Sequence, residues 1–245
     1  MQRACRARPL QTQQSLKSGY FQREFLGTIN PMTQPTQVLP DGYQAVETID
    51  VKQDQRLLLI LNLAGLVMLL FTGWLMFRWL VLVRAAGLAG SIQAFTIRTP
   101  MVVIGLIGGI LALTALHIIL HEALHGVFFW LFTRSKPRFA FHWTYAYAAA
   151  PDWYIPRGPF LITTLAPLVG ITLAGLLIFR FAPLEWLAPT WLVVVMNAGG
   201  AVGDMLVTAR LLRLPPSTLV NDRGDAVTFF TTRQAEPEQA FRKLS

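Results

Sequence analysis

Four apolar runs, set off by short polar connections, divide the chain. They are Leu57 to Val83, Met101 to Phe132, Phe160 to Phe181 and Trp186 to Val207. Each reaches the roughly 20 residues a helix needs to cross a hydrocarbon layer. The second run is longer than required and predicts a tilted or protruding helix; the third carries Pro167 internally. Only Ala182 to Glu185 separates the third run from the fourth, which predicts an antiparallel pair of helices. Arg84 to Arg98 is a short connection broken by Gly87, Gly90 and the following Pro100.

Outside these runs the pattern changes. Residues 1–40 are rich in Gln, Arg, Thr and Pro without periodicity, the composition of a disordered tail. Asp41 to Gln55 mixes acids with isolated apolar residues, predicting a short strand or ordered lead-in. Phe139 to Tyr147 sets aromatic residues at near-alternate positions, predicting a strand or hairpin able to take an extended peptide by strand addition. Leu219 to Thr231 alternates around Asp222-Arg223-Gly224-Asp225, a small hairpin by its turn chemistry. The fold class expected is therefore an all-α integral membrane protein with about four transmembrane helices, small cytosolic β-hairpin elements and a disordered N-terminal tail. The domain bounds that follow are a tail over 1–40, a helical membrane domain over 41–213 and a cytosolic C-terminal tail over 214–245. There is no internal repeat.

Composition agrees with that pattern. Of 245 residues, 53% are hydrophobic and 14% charged, too apolar for an ordinary soluble domain. A single cysteine, Cys5, excludes a disulfide framework and a cysteine zinc site. Met1 to Pro40 has no apolar stretch of the signal-peptide kind, so insertion falls to the first helix. The net charge of +8 sits beside apolar segments, which points to anionic lipid headgroups rather than nucleic acid. With four spans, Lys52, Arg56, Arg134, Lys136, Arg138, Arg157, Arg210 and Arg213 share one side with both termini. Arg84 and Arg98 face the other, with Arg78 and Arg180 near helix ends where they can snorkel. The positive-inside rule places both termini in the cytosol of a multi-pass protein.

The chemistry lies where charge is expensive. Of thirteen acidic residues, only Glu122 and Asp204 fall within the apolar runs, together with His117, His121 and His125. Ionisable groups at membrane depth are functional candidates by default. His121-Glu122-Ala123-Leu124-His125 on a helix puts two imidazoles one turn apart on one face, able to grip a Zn²⁺, with the glutamate set to act on water. A catalytic zinc takes three protein ligands, and Asp204 is the other carboxylate available within the runs. Depth agrees: His125 lies nine residues before Arg134 and Asp204 six before Arg210, roughly 13 Å and 9 Å from the same side at the helical rise. Gly199, Gly200 and Gly203 leave the Asp204 helix bare for close approach.

Other residues have blander readings beside the sharp ones. Asp204 can also be read as a carboxylate paired with Arg210 or a backbone donor. Asn197, seven residues before Asp204, shares its face on a continuous helix, and is either a donor to substrate or an interhelical hydrogen bond. His117 is one further turn back, more consistent with a packed or ring-supporting histidine than with a ligand. His142 and the tryptophans fit an interfacial aromatic belt. A carrier should string ionisable residues through both leaflets, whereas these cluster toward one side. Four histidines are too few for a membrane di-iron oxidase. A non-proteolytic metal-binding membrane protein, either a scaffold or a degenerate protease, is the remaining alternative to hydrolysis.

Several stretches taken together carry a family resemblance: Asp41-Gly42-Tyr43, His121 to Gly126, Pro151 to Pro167, Asn197 to Asp204 and Leu219 to Phe230. They cover most of the chain from residue 41 on. The chain resembles the membrane zincin-peptidase domain family, long catalogued as a domain of unknown function and distantly related to site-2 intramembrane metalloproteases. The resemblance implies zinc, a four-helix core, His121, His125 and Asp204 as ligands, Glu122 as general base, and hydrolysis of membrane protein or peptide substrates near the cytosolic face. One departure stands out: site-2 proteases usually carry proline near the third ligand followed by glycine, whereas here Gly203 precedes Asp204 and Met205 follows it.

Overall fold

The computed structural model describes residues 34–91, 100–141 and 146–232. Residues 1–33, which make up most of the segment expected to be a tail, lie outside the described residues, as do Cys5, Arg98, His142, Trp143 and the chain after Thr232. The chain is mostly helical. Strand β1 (Tyr43–Asp50) leads into helix α1 (Gln55–Ser91), and α2 (Pro100–Thr133) follows. Strands β2 (Arg138–Phe141), β3 (Ala146–Ala149) and β4 (Ile155–Pro156) come next, then α3 (Arg157–Phe181). A 3₁₀ turn (Leu184–Trp186) precedes α4 (Leu187–Gly200), α5 (Val202–Arg213) and the hairpin β5 (Leu219–Asp222) and β6 (Ala226–Thr232).

Three helices are long and apolar enough to cross a membrane: Gln55–Arg84, Met101–Thr133 and Arg157–Phe181. They match the first three runs. The fourth run differs from expectation: it breaks at Ala201 into α4 and α5, bent by 44°, and counts as a crossing only if the pair is taken as one. Gly199, Gly200 and Gly203 crowd that break, and glycine gives a helix interior little to hold its shape. The break moves Asp204 into the first turn of a new helix, the end where the backbone dipole favours a carboxylate.

The β structure is more than isolated hairpins. β1 pairs antiparallel with β6, and β5 and β4 extend the sheet in the order β1-β6-β5-β4. Tyr43 stands opposite Thr232, with a bulge between Ala45 and Glu47. Ordered pairing begins ahead of β1, where Thr36 bridges to Tyr154 through N–H···O contacts of 3.0 and 2.7 Å. β2 and β3 form a separate antiparallel pair in the aromatic connection. Arg134, at φ 55°, ends α2 and turns the chain toward β2.

Two apolar clusters fix these parts. Phe129 of α2, Phe160 of α3 and Leu211 of α5 pack with Ile155, Val220 and Phe229 from the sheet. Each fully buried side chain of this size contributes about 1.5–3 kcal/mol. Further along the helices, Met76, Ile171, Phe179, Val194 and Val195 pack together. α1 meets α4 where Gly65 and Gly199 oppose each other: a Cβ on Gly65 would sit 2.9 Å from the Gly199 carbonyl oxygen. At the end of α3 remote from the sheet, Arg84 donates to the carbonyls of Phe179 and Ala182, which the helix end leaves without partners.

Candidate metal centre

His121 and His125 project from one face of α2, with ring centroids 4.9 Å apart, and both are buried. Asp204 reaches the same point from α5. Its Oδ2 lies 3.2 Å from His121 Nε2 and 3.4 Å from His125 Nε2. One ligand atom from each of the three falls within 4.8 Å of the others. The structure thus brings together the three residues that sequence alone put at similar depth.

The outer nitrogens of both rings are committed. His125 Nδ1–H donates to the Thr163 carbonyl over 2.9 Å. That carbonyl is free because the residue four positions on is Pro167, which has no N–H to complete the helical bond. His121 Nδ1 faces Asn197 Oδ1 at 2.9 Å. The orientation of Asn197 is fixed at its other end, where Nδ2 donates 3.1 Å to the Pro167 carbonyl. Oδ1 is therefore the acceptor and His121 Nδ1 carries the proton. With both Nδ1 atoms engaged by acceptors, the two Nε2 atoms face a carboxylate oxygen.

Two imidazole nitrogens and a carboxylate oxygen at this spacing form a set that one cation would bridge. Asp204 Oδ2 is buried and forms no hydrogen bond. The donor set of two imidazoles and one carboxylate is what a catalytic Zn²⁺ takes, with a position left open. The residues present fit the metal, and the hydrogen bonds behind both histidines are those that orient metal-binding imidazoles.

Asn197 occupies a different place from the one read on a continuous helix. It is 0% exposed and stands behind His121, with both ends of its amide engaged inside the protein. The helix break between it and Asp204 removes the shared-face argument. Thr163 was invisible to sequence reasoning because it acts through a carbonyl that every residue has; Pro167 was the available signal. His117 lies one turn before His121, its ring edge-on to that residue with centroids 5.9 Å apart, and is not in the ligand set.

Glu122 lines the same cavity, of about 200 Å³. Its Oε2 accepts a 2.7 Å hydrogen bond from the Ala148 N–H of β3, so the aromatic connection reaches directly into the site. Two glycines permit that approach. A Cβ on Gly126 would run into the Phe139 ring of β2, and one on Gly224, at φ +94°, into the Tyr147 ring of β3. The β5–β6 turn therefore leans on β3 and helps wall the cavity, to which Asp222 also contributes. Burial pushes the Asp222 carboxyl up to about 7. The Gly224 N–H and the charge of His125 oppose that shift, while the charges of Asp204 and Glu122 add to it.

Residues 114–219 match the model of a family described as "Putative zincin peptidase". No curated protein and no solved structure matches the chain. The matched stretch contains His121, Glu122, His125, Thr163, Asn197 and Asp204, so the part of the chain that builds the candidate metal centre is the part similar to that family.

Proposed function

We propose that this protein is a zinc-dependent, membrane-embedded endopeptidase of the site-2-protease-like kind, hydrolysing peptide bonds of membrane-associated substrates near the cytosolic face. The observation that carries this reading is the convergence of His121 Nε2, His125 Nε2 and Asp204 Oδ2 beside a carboxylate, Glu122, that is not one of the three. His121, His125 and Asp204 would hold the metal. Zn²⁺ bound there supplies a Lewis acid that polarises the scissile carbonyl and acidifies water.

The chain's own groups do the rest. Asn197 and the Thr163 carbonyl keep the imidazoles turned inward. Glu122 takes a proton from the attacking water as the new C–O bond forms and gives it to the leaving nitrogen as the C–N bond breaks. Ala146, Tyr147 and Ala148 of β3 line the cavity and offer a strand edge along which an extended peptide aligns.

Membrane embedding is supported by the outward faces of the helices, where Leu59, Val67, Leu70, Ile104, Leu111 and Leu173 are each more than half exposed. A cytosolic position for the sheet end and both termini is supported by charge. Lys52, Arg138, Arg157 and Arg210 gather beside the sheet, while Arg84 and Arg180 mark the opposite end of α3. The test is turnover of a fluorogenic membrane peptide by the full chain in lipid vesicles. Glu122→Gln should keep zinc and lose activity by roughly 10²–10⁴-fold; retained cleavage by that variant would contradict the mechanism. Zinc binding without cleavage of any membrane peptide would favour a non-proteolytic scaffold.

A further inference from the structure

A second cleft, of about 560 Å³, adjoins the metal-site cavity and shares His121, Glu122, Ala146, Gly200 and Gly203 with it. It runs between α1, α2 and the α4–α5 bend, as far as Leu69, Met196 and His117. Gly65 of α1 and Gly199 and Gly200 of α4 are among its lining residues. Besides His121, Glu122 and Asp225, the polar side chains on its lining are Asn62 of α1 and His117 of α2, of which His117 is the buried one.

His117 is the anomaly. It is 7% exposed, and neither ring nitrogen has a hydrogen-bond partner. A buried imidazole left wholly unpaired is a standing cost that native structures avoid unless the group is used. Gly200 faces the ring; even a Cβ there would come no closer than 3.6 Å, so the ring can turn a nitrogen into the cleft without steric conflict. The candidate metal ligands do not include His117, and among the described residues none hydrogen-bonds to it.

We propose that the part of the cleft beside His117 is a subsite for a neutral hydrogen-bonding side chain of the substrate, an amide or hydroxyl, and that His117 is its specificity-determining residue. This rests on the peptidase reading of the metal centre. His117 is four residues from His121, about 6 Å along the helix. The side chain it reads therefore lies about two residues from the scissile bond in an extended segment, or about four in a helical one.

The test uses the zinc-loaded Glu122→Gln full chain in phospholipid vesicles. The probe is a synthetic Leu/Ala transmembrane peptide carrying one Asn, moved position by position. We expect one register of Asn to bind about five-fold tighter than the all-apolar peptide. That preference should vanish in a His117→Leu background and partly return with His117→Gln, while zinc content stays the same in all three. The absence of any preferred register, or an unchanged preference in His117→Leu, would overturn the subsite. So would loss of zinc in both His117 variants, which would move His117 into the metal set. If the protein with Glu122 intact binds the preferred peptide but does not cut it, the peptidase reading falls and the subsite stands.

Discussion

His125 donates through Nδ1 to the Thr163 carbonyl over 2.9 Å, and that carbonyl is available only because Pro167 cannot take it. A helix interruption in α3 thus orients a proposed zinc ligand on α2. Phe129 and Phe160, with ring centroids 6.3 Å apart, clamp the two helices next to that bond. Replacing Pro167 with Ala would supply an N–H that competes for the same carbonyl. We expect Pro167→Ala to bind zinc at least ten-fold more weakly, the usual effect of losing a group that orients a ligand, even though α3 itself becomes a better helix. Chelator competition measures the first effect and thermal unfolding of the zinc-free protein the second. Unchanged zinc affinity would break the link between Pro167 and His125.

Asn197 does for His121 what Thr163 does for His125. Asn197→Leu should lower zinc affinity about 10–100-fold and destabilise the zinc-free protein by about 1–3 kcal/mol, because the His121 Nδ1–H is left buried without an acceptor. If Asn197 touched substrate instead, the variant would change KM and leave zinc affinity intact.

Much of this site was legible in sequence, and the reason is economic use of charge. His121, Glu122, His125 and Asp204 stood out because ionisable groups are rare in apolar runs, and helical spacing placed the first three on one turn. The break at Ala201 was not legible, since a run of Gly, Ala and Val is as apolar when bent as when straight. The pairing of β1 with β6 was hidden for another reason: alternation announces a strand but not its partner, and Tyr43 meets Thr232 from the far end of the described chain. The idle nitrogens of His117 required coordinates.

The β5–β6 turn should be intolerant of side chains at Gly224. Its φ of +94° favours glycine, and a Cβ would strike the Tyr147 ring. Gly224→Val should destabilise by at least about 1–3 kcal/mol and cut turnover by displacing β3 and, through Ala148, Glu122. Thermal unfolding and a peptide cleavage assay read the two effects. A silent Gly224→Val would mean that the turn does not support the site.

Asp222 makes stability depend on pH in the zinc-free protein. Its carboxyl, ordinarily near 3.8, is raised to about 7 mainly by burial. Between those values the folded chain holds a proton that the unfolded chain has released. The stabilising contribution is complete below about 4 and is lost as pH rises through about 7. Asp222→Asn should flatten the fall in melting temperature across this window, in chelator, and raise stability at pH 8. An identical pH profile in the variant would show that Asp222 does not titrate there.

The central claim is that His121, His125 and Asp204 form one zinc site and that Glu122 is not part of it. Metal analysis of purified full-length protein tests it most directly. The wild type and Glu122→Gln should each carry zinc in a one-to-one ratio, while His125→Ala and Asp204→Ala should lose it. Zinc retained at full affinity by Asp204→Ala, with loss only in His125→Ala, would mean that the third ligand lies elsewhere and that the account of this site is wrong.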